Sequence, residues 1–245
     1  MRRCPDYSHL AIPMAIGLCV ALQACATEPV VQTPTMMRIL TKEISPNGTV
    51  APEAGRLITD ARMLDPVVRV TSRLIAATKR ATYGSRARAL CWVIALYDDR
   101  SVARSFVRPD GAIVVSSGAF RLAQSEAGLA ALLSHELVHA LVHDETPVPA
   151  DCVSAIGQQP ALAPHEEELQ TDETALYLMA DAGYDPRELL GLWERIKREY
   201  DSDLDEVLKH FTYDRRIEQI RQWLPSALMR YERSNRAPQK GLPLK

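Results

Sequence analysis

Five consecutive residues, His135-Glu136-Leu137-Val138-His139, carry the sharpest chemical signal in the sequence. Residues four apart on a helix lie on the same face, one turn above each other. Two imidazoles so placed converge on one metal ion, and zinc takes histidine nitrogen at about 2.0–2.1 Å. Glu136 lies beside that face, where a carboxylate can serve as base toward a water held by the metal. The neighbours fit this reading: Leu132, Leu133, Leu137, Val138 and Leu141 make the helix apolar and buried. Two histidines and a glutamate are costly on such a helix unless something satisfies them, and a metal does.

A hydrolytic zinc needs a third protein ligand and one open position. Glu168, in Glu168-Leu169-Gln170-Thr171-Asp172, is the expected ligand. Asp172, four residues on, shares its helix face and would hold a ligand imidazole in the right tautomer and orientation. Glu166 and Glu167 compete for the ligand role; their other reading is a solvated acidic helix start, favoured by the helix dipole. His143 is read as facing solvent at a helix end, and His165 as a surface residue. For His210 three readings stay open: a donor to a developing oxyanion, a fourth zinc ligand, or a surface histidine.

These side chains need elements to hold them. Apolar residues at helical spacing predict a helix over Asp65 to Thr82. Leu90 to Tyr97 reads as a buried strand. Ser105-Phe106-Val107, the Pro109-Asp110-Gly111 turn and Ala112 to Ser116 read as a hairpin. One helix is expected from Ser125 to His143, and a second from Glu166 to Ala182, stopped by Gly183. Pro186 suits the first turn of the next helix, Arg187 to Tyr200, and a last one spans Asp214 to Tyr231. The class is α+β, mostly helical, with a small sheet ahead of the helix that bears the histidines.

The first residues read as an export signal over 1–24. Arg2 and Arg3 precede an apolar run from Leu10 to Leu22, too short to span a bilayer. Leu22-Gln23-Ala24-Cys25 resembles the lipobox of bacterial lipoproteins, which would make Cys25 a lipidated N-terminus. The other reading is an ordinary cleaved signal. Residues 25–54, with Pro29, Pro34, Pro46 and Pro52, are expected to form a flexible tether. The folded unit would cover 55–232, with a disordered tail at 233–245. Of five cysteines, Cys91 and Cys152 remain for a disulfide or for two free thiols. A formal net charge of −2 gives no basic surface for nucleic acid, and that class of partner is set aside.

H-E-x-x-H, then E-x-x-x-D at Glu168 and Asp172, then Ala182-Gly183-Tyr184-Asp185-Pro186, then His210 and Arg216, resembles metallopeptidase family 48. That family includes the HtpX-type proteases, the CAAX prenyl proteases and a periplasmic lipoprotein group. The resemblance covers about Leu64 to Arg230. It implies a zincin-like (gluzincin) fold and peptide-bond hydrolysis with one Zn2+ per chain. His135, His139 and Glu168 match the ligands, Glu136 the general base and Asp172 its family's partner carboxylate. His210 matches a histidine near the substrate oxyanion, and Arg216 an arginine supporting the site. Ser105 to Val115 matches the edge that receives substrate as an added strand. Phe211 stands where the family has proline, and the interval 144–165 is short. The implied role is cleavage of unfolded or misassembled envelope proteins on the periplasmic side, anchored in the outer membrane. The alternative is a zinc-binding periplasmic chaperone or adaptor with a latent protease site.

Overall fold

A computed structural model describes residues 38–39, 56–78, 84–90, 92–108, 111–143, 165–200 and 213–234. Among the described residues, five strands form one mixed sheet: β1 (Arg38–Ile39), β2 (Arg56–Leu57), β3 (Val93–Asp98), β4 (Ser105–Val107) and β5 (Ala112–Ser116). β3 is its axis. One edge of β3 pairs in parallel with β5 along its length. The other edge is shared, with β1 parallel at Val93 and Ile94 and β2 antiparallel at Tyr97 and Asp98. β4 closes the hairpin onto β5, with Phe106 opposite Val114, and forms the end of the sheet path. Gly111 turns that hairpin at φ 95°, the left-handed region where a Cβ is unfavourable.

Among the described residues there are seven α-helices: α1 (Ala61–Thr78), α2 (Gly84–Ala89), α3 (Ala119–Ala123), α4 (Glu126–Val138), α5 (His165–Ala182), α6 (Arg187–Tyr200) and α7 (Arg215–Arg233). α4 runs through the middle, packed against α1, α3, α5, α6 and β4. Its Leu129, Leu133 and Leu137 are fully buried, which is why a helix so uniformly apolar is stable here. Ser125 caps its start, accepting the Gly128 N–H at 3.0 Å.

Several elements differ from the sequence expectation. α1 starts at Ala61, four residues early. Asp60 caps it by accepting the Arg62 N–H at 2.9 Å, and Pro66 sits inside the helix rather than in its first turn. The single helix expected through His143 stops being α-helical at Val138 and continues as a π-turn, His139–His143. β3 begins at Val93, and α2 and α3 have no counterpart in the reading above. β1 falls within the stretch expected to be a free tether; its two residues are held by the open edge of β3. The hairpin, α5 and α6 lie where expected, and Gly183 ends α5 at φ 76° with the Tyr184 N–H donating to the Met179 carbonyl. The signal, Cys25, Cys91, Cys152, His210 and residues 235–245 of the tail lie outside the described residues, while Arg233, expected in that tail, is the last residue of α7. Among the described residues, no helix is long and apolar enough to cross a membrane.

Candidate metal centre

α4 presents His135 and Glu136, and the first residue of the π-turn is His139. Beside them lies α5, which brings in Glu168 and Asp172. One atom from each of His135, His139 and Glu168 lies within 4.8 Å of the others. His135 Nε2 and His139 Nε2 are 3.1 Å apart. Glu168 Oε2 is 3.2 Å from the first, and its Oε1 is 3.3 Å from the second. Tetrahedral bonds of about 2.0–2.1 Å place ligand atoms roughly 3.3 Å apart. The three side chains are therefore already spaced as three corners of one zinc tetrahedron. Their chemistry, two imidazole nitrogens and a carboxylate, is a hydrolytic zinc donor set.

The outer contacts fix these ligands. Asp172 has no exposed surface. Its Oδ1 faces His135 Nδ1 at 3.0 Å, which keeps the proton on that nitrogen and turns Nε2 toward the centre. Arg216, from α7, donates from Nε to Asp172 Oδ2 at 2.6 Å and from Nη2 to Oδ1 at 2.9 Å. The same guanidinium holds Glu168 Oε2 at 2.8 Å through Nη1. One buried arginine thus orients both Glu168 and Asp172, which a planar fork can do and a lysine cannot.

Charge follows geometry. Burial opposes a proton on His135, but its contacts to Asp172 and Glu168 win and raise it to about 9. Burial also works against ionised Glu168; hydrogen bonds with His135 and His139 outweigh it and hold the carboxyl well below the usual range. For Asp172 the same contest is won by the charge of Arg216, and its pKa is lowered. Glu136 goes the other way, raised chiefly by burial. A carboxylate with elevated basicity beside a cluster of metal ligands is suited to take up a proton.

A cleft of about 260 Å³ opens on this cluster. Glu136, His135 and Glu168 line one side, with Ala103, Arg104 and Ser105 at the start of β4 along another. Of the residues singled out from sequence, the structure brings together His135, Glu136, His139, Glu168, Asp172 and Arg216. Glu167 contributes no atom to the metal cluster. Missed was Trp193 of α6, whose indole Nε1 donates to Asp172 Oδ1 at 3.2 Å. Its only sequence signal was a tryptophan on an apolar helix stripe, where a buried N–H needs a partner.

The arrangement is that of a mononuclear zinc hydrolase centre built on an H-E-x-x-H helix. Residues 67–148 match the model of peptidase family M48, a family whose metalloproteases use zinc. Two curated proteins are similar. The mitochondrial metalloendopeptidase OMA1 of Schizosaccharomyces pombe is 27% identical over 194 residues, covering 69% of this chain and 55% of its own. That of Saccharomyces cerevisiae is 25% identical over 175 residues, covering 59% and 50%. The chain thus spans about half the length of the curated relatives it matches.

Proposed function

We propose that the protein is a zinc-dependent endopeptidase that hydrolyses peptide bonds in unfolded or misassembled polypeptides. The observation that carries this reading is the 3.1–3.3 Å triangle of His135, His139 and Glu168 at a cleft that also holds Glu136. When bound, zinc supplies a Lewis acid that activates water and polarises the scissile carbonyl. The chain's own residues do the rest. Glu136 accepts the water proton on its carboxylate and delivers it to the departing amine. Asp172 holds the Nδ1–H of His135, and Arg216 fixes the face that Glu168 turns to the centre. An extended substrate would pair with β4, so recognition would use its backbone more than its side chains. That mode suits unfolded chains. His210 would donate to the oxyanion or cap the centre at rest. Anchoring through a lipidated Cys25, on the periplasmic side of the outer membrane, completes the reading.

The test is casein cleavage by the protein and by Glu136→Gln, each measured for bound zinc. The expected outcome is zinc in both and cleavage by the parent alone, with turnover reduced by roughly 10²–10⁴-fold in the variant. Equal cleavage by both would remove Glu136 from the chemistry. Zinc in both with cleavage by neither would favour the chaperone or adaptor reading. A normal zinc content in His135→Ala or Glu168→Ala would break the ligand assignment.

A further inference from the structure

Asp172 is the hinge of the site's orientation, and three side chains converge on it. His135 Nδ1 and Arg216 Nη2 meet Oδ1 at 3.0 and 2.9 Å, and so does the indole Nε1 of Trp193 at 3.2 Å. Trp193 does more than donate. Its ring lies under the Arg216 guanidinium, whose carbon is 3.5 Å from the ring centroid. It also meets the His135 imidazole edge to face, with centroids 5.8 Å apart and planes at 76°. One side chain therefore touches a ligand, the carboxylate that orients the ligand, and the arginine that orients both carboxylates. Trp193 belongs to α6, an element that carries none of the three ligands, and it is 9% exposed beside the cleft.

We propose that Trp193 is a positioning residue of the zinc centre, acting through its indole N–H on Asp172 while its ring packs on Arg216. This rests on the zinc reading above. The physical case is one of degrees of freedom. The Arg216 fork and His135 already grip the Asp172 carboxylate, but both are side chains that this carboxylate in turn orients. A third donor, on a rigid ring from a different helix, ties the carboxylate to α6 as well. The stacked ring packs on the face of the guanidinium that bonds Asp172 twice and Glu168 once. Fixed together, these set the direction of the His135 Nε2 lone pair and of the Glu168 carboxylate. Metal affinity and coordination geometry follow from those two directions.

A core tryptophan that only fills space would not register the loss of its N–H alone. Three forms are compared with the parent: Trp193→Phe, Trp193→Leu, and the protein carrying 3-benzothienylalanine at position 193, an isostere with sulfur in place of N–H. The isostere keeps the shape even if the two substitutions fail to fold. Zinc affinity is measured on metal-free protein by chelator competition, and coordination geometry by the visible absorption of the cobalt form. Loss of a partner one contact away from a ligand typically weakens metal binding by about 10–100-fold. About tenfold is expected for the isostere and for Trp193→Phe, with a changed cobalt spectrum, and more for Trp193→Leu. Parent-like affinity and cobalt spectrum in the isostere overturn the inference. If the parent itself takes up no zinc, the reading of the site falls and this inference falls with it. If the parent binds zinc and cleaves casein while the isostere matches it, only Trp193 is reassigned to packing.

Discussion

His135 Nε2 lies 3.2 Å from Glu168 Oε2, a contact that a proton on that nitrogen can satisfy. The proton and a zinc ion therefore compete for the same lone pair. Because His135 is raised to about 9, it is protonated at neutral pH, and zinc must displace that proton. The prediction is a zinc affinity that climbs up to tenfold per pH unit between about 6.5 and 9 and then levels, with about one proton released per ion. Calorimetry in two buffers of different ionisation heat checks it; a proton count of zero at pH 7 would contradict it. Stability of the metal-free protein runs the opposite way. The folded pKa of His135 is raised, so its contribution is complete below the unfolded value of about 6.5 and is lost as pH rises through about 9. Glu168 and Asp172 are depressed, so theirs is present above about 4 and fades on acidification. Melting of the metal-free form should peak near pH 5–6.5, roughly. The ligands were legible because helical spacing converts sequence distance into a shared face. Trp193 was not, since its partners Asp172 and Arg216 come from other helices and no spacing within α6 announces them.

Helix α4 is the element on which the site depends, and its entry is tightly specified. Gln124 takes a positive φ of 61° to end α3, and Ser125 caps the next helix. Gly128 then passes so close to the end of α3 that a Cβ there would lie 1.9 Å from the Ala123 carbonyl oxygen. That neighbour is backbone and cannot step aside. Gly128→Ala should cost several kcal/mol, on the order of the largest single-residue effects, and show as a collapse of melting temperature or as insoluble protein. Ser125→Ala, which loses one cap bond, should cost only about 1 kcal/mol, or roughly 2–4 °C. A near-parental melt for Gly128→Ala would mean that α3 and α4 separate freely. At the far end the helix widens into the π-turn at His139, and Arg86 Nε donates to the Ala140 carbonyl at 2.6 Å. π-Turns of this kind concentrate at functional sites. The sequence called for a plain α-helix there because apolar periodicity over five residues does not separate a 3.6-residue turn from a wider one. Strands of two residues, β1 and β2, were invisible for a related reason: alternation needs more length to register.

At the scale of the molecule, the centre joins α4, α5, α6 and α7, residues separated by up to 81 positions in the chain. Such a site assembles only when the fold does, so zinc binding and folding must be linked. How strongly depends on what holds the helices together in the metal's absence. Small zinc domains unfold when chelated because nothing else satisfies their ligands. Here something does. Arg216 and protonated His135 supply two positive charges, Glu168 and Asp172 two negative ones, and each is within 3.3 Å of an opposite partner. A core of fully buried apolar residues, Leu129, Leu133, Leu176 and Ile220 among them, packs α4, α5 and α7 together independently of the metal. The chelated protein should therefore stay folded and melt cooperatively, at a lower temperature than the zinc form. Free zinc at about 1,000 times its dissociation constant adds roughly 4 kcal/mol, equivalent to about 8–16 °C for a domain of this size. Scanning calorimetry with and without chelator measures the gap. Unfolding on chelation would show that the Arg216 ion network cannot hold the helices alone. An unchanged melting temperature would show that the chain holds no zinc at this centre. Between those limits, Arg216→Ala should abolish the reserve that keeps the metal-free form folded, costing about 3–5 kcal/mol by taking from buried Asp172 and from Glu168 the guanidinium they share. Chelator should then unfold that variant where it only softens the parent.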